Sequence, residues 1–219
     1  MPDRSIAAPS AEPLSAWFSP VQTRAGVREQ RFECASRGDR VSGRTWRPAA
    51  SSALPLVLAV HDLARDKDDP SLEAAARDWA SAGWATAAID LPLHGERHNA
   101  KLSRRAISAA TATSPDRQLW NGLVAQAVHD LARALDALLA NGDIDSARIA
   151  GVAFGDAAPI AHALASFDLR VRAVAAIGAE RAFEHAVPAE PQNGAPPKTL
   201  SWIPRPDDLA SFLASALRA

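Results

Sequence analysis

The sequence predicts an α/β protein with a mostly parallel sheet flanked by helices. Three observations carry this prediction. A continuous apolar run at 54–60 and short, largely apolar segments at 84–89, 148–153 and 171–177 have the length and composition of strands buried on both faces. Longer segments with helical spacing separate these runs, and strands that alternate with helices form βαβ units in parallel sheets. The 219 residues suit one such domain, and an apolar fraction of 47% is enough for a buried core.

The first part of the chain is interpreted as an arm followed by two strands. Residues 1–20 are rich in Ser, Ala and Pro, so we expect a flexible N-terminal arm there. The domain itself is expected over residues 21–219. Strands are predicted at 30–35 and 40–46, because the Gly-Asp pair between these segments is typical of a tight turn.

Helices are predicted between the buried strands. A helix over 71–82 follows the first of them, and Gly83 marks its end. The longest helix is predicted over 119–140, because apolar residues recur there at helical spacing and an Asn-Gly pair follows. The remaining predicted elements are a helix over 156–165, a strand over Thr199–Ile203 and a helix over 207–219.

Composition and charge exclude several classes of function. A formal net charge of -1 gives no broad attraction to nucleic acid or to an anionic membrane. No apolar stretch approaches the roughly 20 residues of a membrane span, and the N-terminus lacks the apolar core of a signal peptide. Cys34 is the single cysteine, so no internal disulfide forms. We therefore expect a cytoplasmic protein with no nucleic-acid or membrane partner.

One motif carries the strongest chemical signal. Gly151-Val152-Ala153-Phe154-Gly155 follows a buried run and precedes a helical segment. Its frame is that of Gly-x-Ser-x-Gly, the nucleophile elbow, in which a strand turns sharply into a helix and presents a hydroxyl group. Ala153 occupies the position of the serine, and its methyl group cannot attack a carbonyl carbon. The sequence thus predicts a catalytic frame without its nucleophile.

Two further polar segments follow predicted strands. His61-Asp62-Leu63 follows the run at 54–60, and residues 90–98 follow the run at 84–89. Because open α/β sheets carry their sites at the carboxyl ends of the strands, we expect both segments to lie beside the elbow. The predicted pocket residues are His61, Asp62, Leu63, His94, Phe154 and Asp156.

The order and spacing of these three loops resemble the α/β-hydrolase superfamily, and more narrowly its bacterial esterases near dienelactone hydrolase and the serine peptidase-like hydrolases. The segment from Asp90 to Arg97 resembles the family's Asp-x-Pro-x-His-Gly and matches best, and the resemblance covers about residues 31–177. It implies an α/β-hydrolase-like sheet, hydrolysis of carboxylic esters and no cofactor. It also implies that the loop at His61 forms part of the oxyanion hole.

The departures from that family concern its catalytic groups. Asp62 stands where the family has a glycine beside the oxyanion hole, and Asp156 follows the elbow. The family's base is a histidine near the C-terminus, and here no histidine follows His185. Asp207 or Asp208 lies where the family's acid would lie. We therefore expect a C-terminally shortened sheet and an incomplete triad.

Structural roles are favoured for the titratable side chains near the strand ends. His61 and His94 are expected to hydrogen-bond to neighbouring loops, and a carboxylate at Asp156 suits the first turn of a helix. No cofactor is predicted, and the spacing of the metal-ligand residue types in these loops demands no metal ion. Those residues are Asp62, Asp90, His94 and His98.

Three interpretations of function remain open. The first is a catalytically inactive hydrolase homologue that binds a small molecule or serves as a partner subunit. The second is an active hydrolase of ester or acyl bonds, or a lyase, whose site is rebuilt from His61, Asp62, His94 or Asp156. The third is an esterase whose serine was replaced by alanine, and the missing histidine argues against it. We favour the first, because nucleophile, base and oxyanion glycine are lost together.

The strand over Thr199–Ile203 lies at an edge of the predicted sheet. An uncovered edge presents unpaired backbone groups that pair readily with another chain. We therefore predict that this strand takes part in a homodimer.

Overall fold

The computed structural model describes residues 13–49, 53–111, 117–178, 199–203, 211–212 and 214–215. Within these ranges the chain forms one sheet of nine strands and four α-helices. The strands are β1 (Ala16–Phe18), β2 (Gln22–Arg24), β3 (Val27–Ser36), β4 (Asp39–Pro48), β5 (Leu54–Val60), β6 (Ala85–Ile89), β7 (Ile144–Phe154), β8 (Val171–Ile177) and β9 (Thr199–Ile203). The helices are α1 (Pro70–Ser81), α2 (Ala100–Thr111), α3 (Arg117–Ala140) and α4 (Ala158–Phe167).

The sheet has an antiparallel half and a parallel half. Its strand order is β1-β3-β4-β6-β5-β7-β8-β9, and β2 also pairs with β3. The pairs from β1 to β4, and the pair of β4 with β6, are antiparallel. Strands β5 to β9 run parallel to one another. The predicted mostly parallel sheet flanked by helices is therefore confirmed for the half that carries the candidate site.

Helices cover both faces of the parallel half. One apolar cluster joins α3 and α4 to one face, and a second joins α1 to the other. Because both faces are covered, β5 is a continuous apolar run, as the sequence predicted, and β8 is apolar except at the exposed Arg172. Helix α1 begins where Asp69 accepts hydrogen bonds from the backbone N–H groups of Ser71 and Leu72, and Pro70 stands in its first turn.

Residues 16–18, which fall within the arm expected over 1–20, form an edge strand of the sheet. The side chain of Phe18 is half-buried and stacks on Phe32, with 5.7 Å between the ring centroids. Residues 1–12 of the expected arm lie outside the described residues. The part of the segment that is described therefore belongs to the domain.

Helix α2 has no counterpart in the sequence-based prediction. Its segment carries one strongly exposed apolar residue, Leu102, and buries only small side chains such as Ala106 and Ala109. Small buried residues give a weak apolar stripe, so the helical period does not stand out. Most of the helix predicted over 207–219 lies outside the described residues, although 211–212 and 214–215 are helical.

Candidate functional site

The sharp turn from strand to helix lies two residues later than the sequence predicted. Ala153 remains in β7, fully buried and paired with Val60 and Ala176. The backbone turns at Gly155, where φ is +53°, and a 3-10 turn over Gly155–Ala157 leads into α4. Ala153, the predicted nucleophile position, therefore lies inside β7 and not at the turn, because β7 continues through Phe154. Gly155 lies at the turn itself.

A second small-residue frame explains the shift. Ala153 and Ala157, both fully buried, occupy the two glycine places of the frame, and Gly155 occupies the serine place. Gly151 and Gly155 fit the same spacing, which is why the sequence alone indicates the frame centred on Ala153. Gly155 has no side chain, so it presents no hydroxyl or thiol group at this turn.

The carboxylate of Asp62 fills the space beside this turn. Its Oδ1 accepts a hydrogen bond of 2.6 Å from the N–H of Leu63 and a longer one of 3.3 Å from the N–H of Asp156. A Cβ placed on Gly155 would lie 2.5 Å from Oδ2 of Asp62. The carboxylate therefore stands where the side chain of an elbow residue would begin.

The two N–H groups that hold Asp62 are those expected of an oxyanion hole. In an elbow of this kind, one donor belongs to the residue after the nucleophile and the other to the loop after a neighbouring strand. Asp156 follows Gly155, and Leu63 lies in the loop after β5. Both donors point at a carboxylate oxygen of the chain itself. An incoming oxyanion would meet a negative charge in the place that should stabilise it.

Hydrogen bonds engage both ring nitrogens of His61, which is almost fully buried. Nε2 accepts from the N–H of Leu91 at 3.1 Å, so the proton is on Nδ1, which lies 2.8 Å from the carbonyl oxygen of Asp62. Burial is the main cause that lowers the pKa of His61, to about 4. A neutral ring with both nitrogens bonded holds the loops after β5 and β6 together.

His94 ties the same two loops together from the other side. Its Nδ1 lies 2.8 Å from the carbonyl oxygen of Pro92, and its Nε2 lies 2.6 Å from that of Leu63. The ring is buried, and its centroid is 5.3 Å from that of His61. Both histidines thus hydrogen-bond to neighbouring loops.

Asp90 belongs to a buried ion pair that the sequence analysis missed. Its carboxylate accepts hydrogen bonds from Nζ of Lys67 at 2.9 Å and from the N–H of Glu96 at 2.9 Å. Nζ of Lys67 also donates to Oε1 of Glu96. Burial alone would lower the pKa of Lys67, but these hydrogen bonds raise it above its usual value. The polar segment after β6 is therefore held in place by a charged lysine.

A small apolar pocket lies beside the segment that follows β5. Leu63 forms one wall, as predicted, together with the segment after β6 that contains His94. The opposite walls come from α2, α3 and α4, which the sequence analysis did not assign to the pocket. The lining residues from these helices are Ala106, Ile107, Trp120, Leu123, Ala127 and Ile160.

Four of the six predicted pocket residues do not line this pocket: His61 and Asp62, described above, and Phe154 and Asp156. The side chain of Phe154 is half-buried on the α1 face of the sheet and stacks on Trp79, with 6.3 Å between the ring centroids. Asp156 is exposed and contributes its backbone N–H. Phe154 was wrongly placed, because successive residues of a strand face opposite sides of the sheet and Ala153 faces the pocket side.

Other predicted site residues do not join this arrangement. His98 is exposed. Asp207, Asp208 and His185 lie outside the described residues. In the part of the chain that the structure describes, no group of three or more His, Cys, Asp or Glu side chains is arranged to hold a metal ion. No helix in that same part is long and apolar enough to cross a membrane.

Solved structures of esterases are similar to this chain. A PEG-bound cold-adapted esterase from an Arctic intertidal metagenomic library superposes with a TM-score of 0.65 at 19% identity, over 90% of this chain and 97% of that one. An acetyl xylan esterase from Paenibacillus sp. R4 gives a TM-score of 0.58 at 20% identity, over 76% and 54%. Acetyl xylan esterase 1 from Thermoanaerobacterium sp. JW/SL YS485 gives 0.57 at 14% identity, over 76% and 53%.

The likeness establishes the fold of the chain. No protein-family model matches the sequence, and no curated protein matches it. The matched region spans about half the length of the two acetyl xylan esterases. At such low identity the structural likeness shows an α/β-hydrolase-like fold, which confirms the architecture that the sequence predicted.

Proposed function

We propose that this chain, which has an α/β-hydrolase-like fold, is a catalytically inactive hydrolase homologue that binds a small molecule or serves as a partner subunit. The observation that carries the proposal is the carboxylate of Asp62 on the N–H groups of Leu63 and Asp156, beside a glycine at the elbow. Serine catalysis needs a nucleophile, a base and free oxyanion donors. Gly155 offers no nucleophile, and the donors are taken.

The loss of the nucleophile alone would leave some catalysis. Enzymes of this type that lack a triad residue retain roughly 10³–10⁴-fold over water, from binding and from the oxyanion hole. That remainder requires donors that can receive a developing negative charge. Here Asp62 holds both donors and repels such a charge. We therefore expect no ester hydrolysis above the rate in buffer.

The two buried histidines in the segments after β5 and β6 support the same conclusion. His61 and His94 lie in the segments after β5 and β6, and all four of their ring nitrogens lie within 3.1 Å of a backbone polar atom. A base must have a free nitrogen that accepts the proton of the nucleophile. Both residues would have to break contacts with the backbone before either could act in that way.

The alternative is an active hydrolase of carboxylic ester or acyl bonds, or a lyase, with a site rebuilt from His61, Asp62, His94 or Asp156. What favours it is the cluster of titratable groups at the ends of β5, β6 and β7. It predicts turnover by the unmodified chain and loss of that turnover when His61 is replaced.

An ester panel tests both candidates. The unmodified chain and the variants Gly155→Ser and His61→Ala are assayed with short- and long-chain p-nitrophenyl esters. We expect no turnover above buffer in any of them. Turnover by the unmodified chain that is abolished in His61→Ala would contradict the proposal and support the rebuilt site. Lys101→Met, at an exposed position on α2, serves as the control for contaminating esterases.

Ligand binding is tested in the pocket itself. A panel of small apolar compounds is screened by thermal denaturation, since a ligand that binds only the folded state raises its melting temperature. Ala127→Leu places extra carbon atoms in the pocket, and Leu102→Ala changes an exposed residue of α2 that does not line it. We expect stabilisation of the unmodified chain and of Leu102→Ala, and none of Ala127→Leu. Equal stabilisation of all three would place the ligand elsewhere.

A further inference from the structure

The contact between Asp62 and the elbow joins groups from two separate loops. Leu63 follows β5, and Asp156 follows β7, yet their N–H groups converge on one oxygen of Asp62. The convergence of the two N–H groups is the geometry that an oxyanion hole requires. The donors are therefore still assembled, and the group they hold is supplied by the chain.

We propose that Asp62 is an internal occupant that masks an intact oxyanion hole, so that removing its carboxylate opens a binding site for a free carboxylate. This inference rests on the proposed function, because it concerns the same elbow. It adds that the N–H groups of Leu63 and Asp156 can still bind an anion. The contact of both groups with Asp62 suppresses this binding.

The two hydrogen bonds to Asp62 differ in length, as expected of a group that occupies the site without filling it ideally. The bond from Leu63 is short and joins adjacent residues, so the carboxylate is always close to the donors. A tethered group competes at a high effective concentration against any ligand in solution. The bond from Asp156 is long, so this donor is held weakly and keeps capacity for a better placed acceptor.

The absence of a side chain at Gly155 leaves space for the carboxylate of Asp62. With a side chain at residue 155, the Cβ would lie within 2.8 Å of all three carboxylate atoms of Asp62. In this conformation the carboxylate of Asp62 therefore requires a glycine at residue 155. A purely structural role for Asp62, as an anchor between two loops, would also fit the hydrogen bonds, and the experiment must separate the two roles.

Other charges around the site define the controls. The carboxylate of Asp156 is exposed on the same turn and would repel a bound anion, although its N–H is a donor. The ring of His61 donates to the carbonyl oxygen of Asp62 and is not aimed at its carboxylate. Replacing Asp156 by Asn removes a neighbouring charge while it leaves both donors and the mask in place.

The test is an acetate titration followed by the backbone amide resonances of Leu63 and Asp156 in two-dimensional NMR. Asp62 has no positive φ, so Asp62→Ala introduces no backbone strain. We expect both amides of Asp62→Ala to shift together and to saturate, with an affinity at least ~tenfold above that of the unmodified chain, because a charge-assisted competitor is lost. Asp156→Asn alone should remain as weak as the unmodified chain.

Asp62→Asn keeps a neutral acceptor of the same shape, and we expect its acetate affinity to lie between those of the unmodified chain and Asp62→Ala. If Asp62→Ala does not fold, this variant decides the matter. Folded variants whose two amides do not respond to acetate, or that bind it no better than the unmodified chain, would overturn the inference and leave Asp62 as an anchor. Ester turnover by the unmodified chain would contradict the proposed function and leave these amide shifts unaffected.

Discussion

The carboxylate of Asp62 occupies the space of a side chain at Gly155: a Cβ on Gly155 would lie 2.5 Å from Oδ2 of Asp62. One residue lies in the loop after β5 and the other in the turn after β7. The pair therefore couples two loops that carry the oxyanion donors. Its energetic consequences can be measured without any assay of activity.

Gly155→Ala should lower the free energy of unfolding by roughly 2–4 kcal/mol. A side chain at φ of +53° is strained, and it also displaces a carboxylate from hydrogen bonds that it makes as a charged acceptor. Urea denaturation measures the loss. Gly151→Ala is the matched control in β7, because its Cβ would meet its nearest neighbours at an ordinary 3.8 Å.

The double variant measures the energetic coupling between Asp62 and Gly155. Asp62→Ala removes the atoms that collide with the new side chain, so Gly155→Ala/Asp62→Ala should lose less stability than the sum of the single variants, by about 0.5–3 kcal/mol. Additive losses would mean that the turn relaxes away from Asp62 and that the two residues act separately.

Protonation of His61 should destabilise the protein as the solution becomes acidic. Its pKa in the folded chain is about 4, below its ordinary value of 6.5, so folding favours the neutral ring. The stability from this residue is fully present above pH 6.5 and is lost as the pH falls toward 4, by roughly 3 kcal/mol in all. Chemical denaturation at a series of pH values measures the decline.

His61→Gln separates this residue from the other histidines. The pKa values of His129 and His162 are also lowered by burial, so both add a decline of the same sign. The glutamine amide can still accept from Leu91 and does not titrate in this range. We expect the variant to be less stable at neutral pH and to show a shallower decline. Identical slopes for both proteins would show that His61 is not the titrating group.

Lys67→Met should cost about 3–5 kcal/mol, because it leaves the buried carboxylate of Asp90 without its cation. The free energy of unfolding is the measurement. Lys101→Met is the control, since Lys101 is exposed and its replacement should change stability by less than about 0.5 kcal/mol. Similar small effects at both positions would mean that water or another cation reaches Asp90.

A homodimer through β9 remains a prediction. In the described part of the chain, β9 is the last strand of the sheet and pairs with β8. An uncovered parallel edge favours association with a second copy. Light scattering across a range of concentrations should give twice the monomer mass at the upper end. A monomer mass throughout would remove the prediction.

The buried strands could be predicted from the sequence because their environment is simple. β5 and β8 lie between two layers of helices, so every position except Arg172 is apolar and the bounds follow from composition. The register of the elbow could not be predicted, because it depends on where pairing with β8 ends. That pairing reaches Phe154 opposite Ile177, and it delays the turn to Gly155.

The contacts of Asp62 could not be predicted either. The sequence marked it as a departure from the family's glycine, and its distance to Asp156 follows only from how two loops meet in space. Nothing in the sequence indicated that Lys67 is buried in an ion pair. Buried lysines are rare, and its partner Asp90 is 23 residues away in the chain.

The fit between the loop after β5 and the turn after β7 also constrains how this lineage can change by single steps. A serine acquired at residue 155 would arrive against an aspartate that leaves it no space, and a glycine acquired at residue 62 would uncover donors with nothing to attack a substrate. Placing a nucleophile at this turn beside free donors therefore takes two replacements, one at residue 155 and one at residue 62.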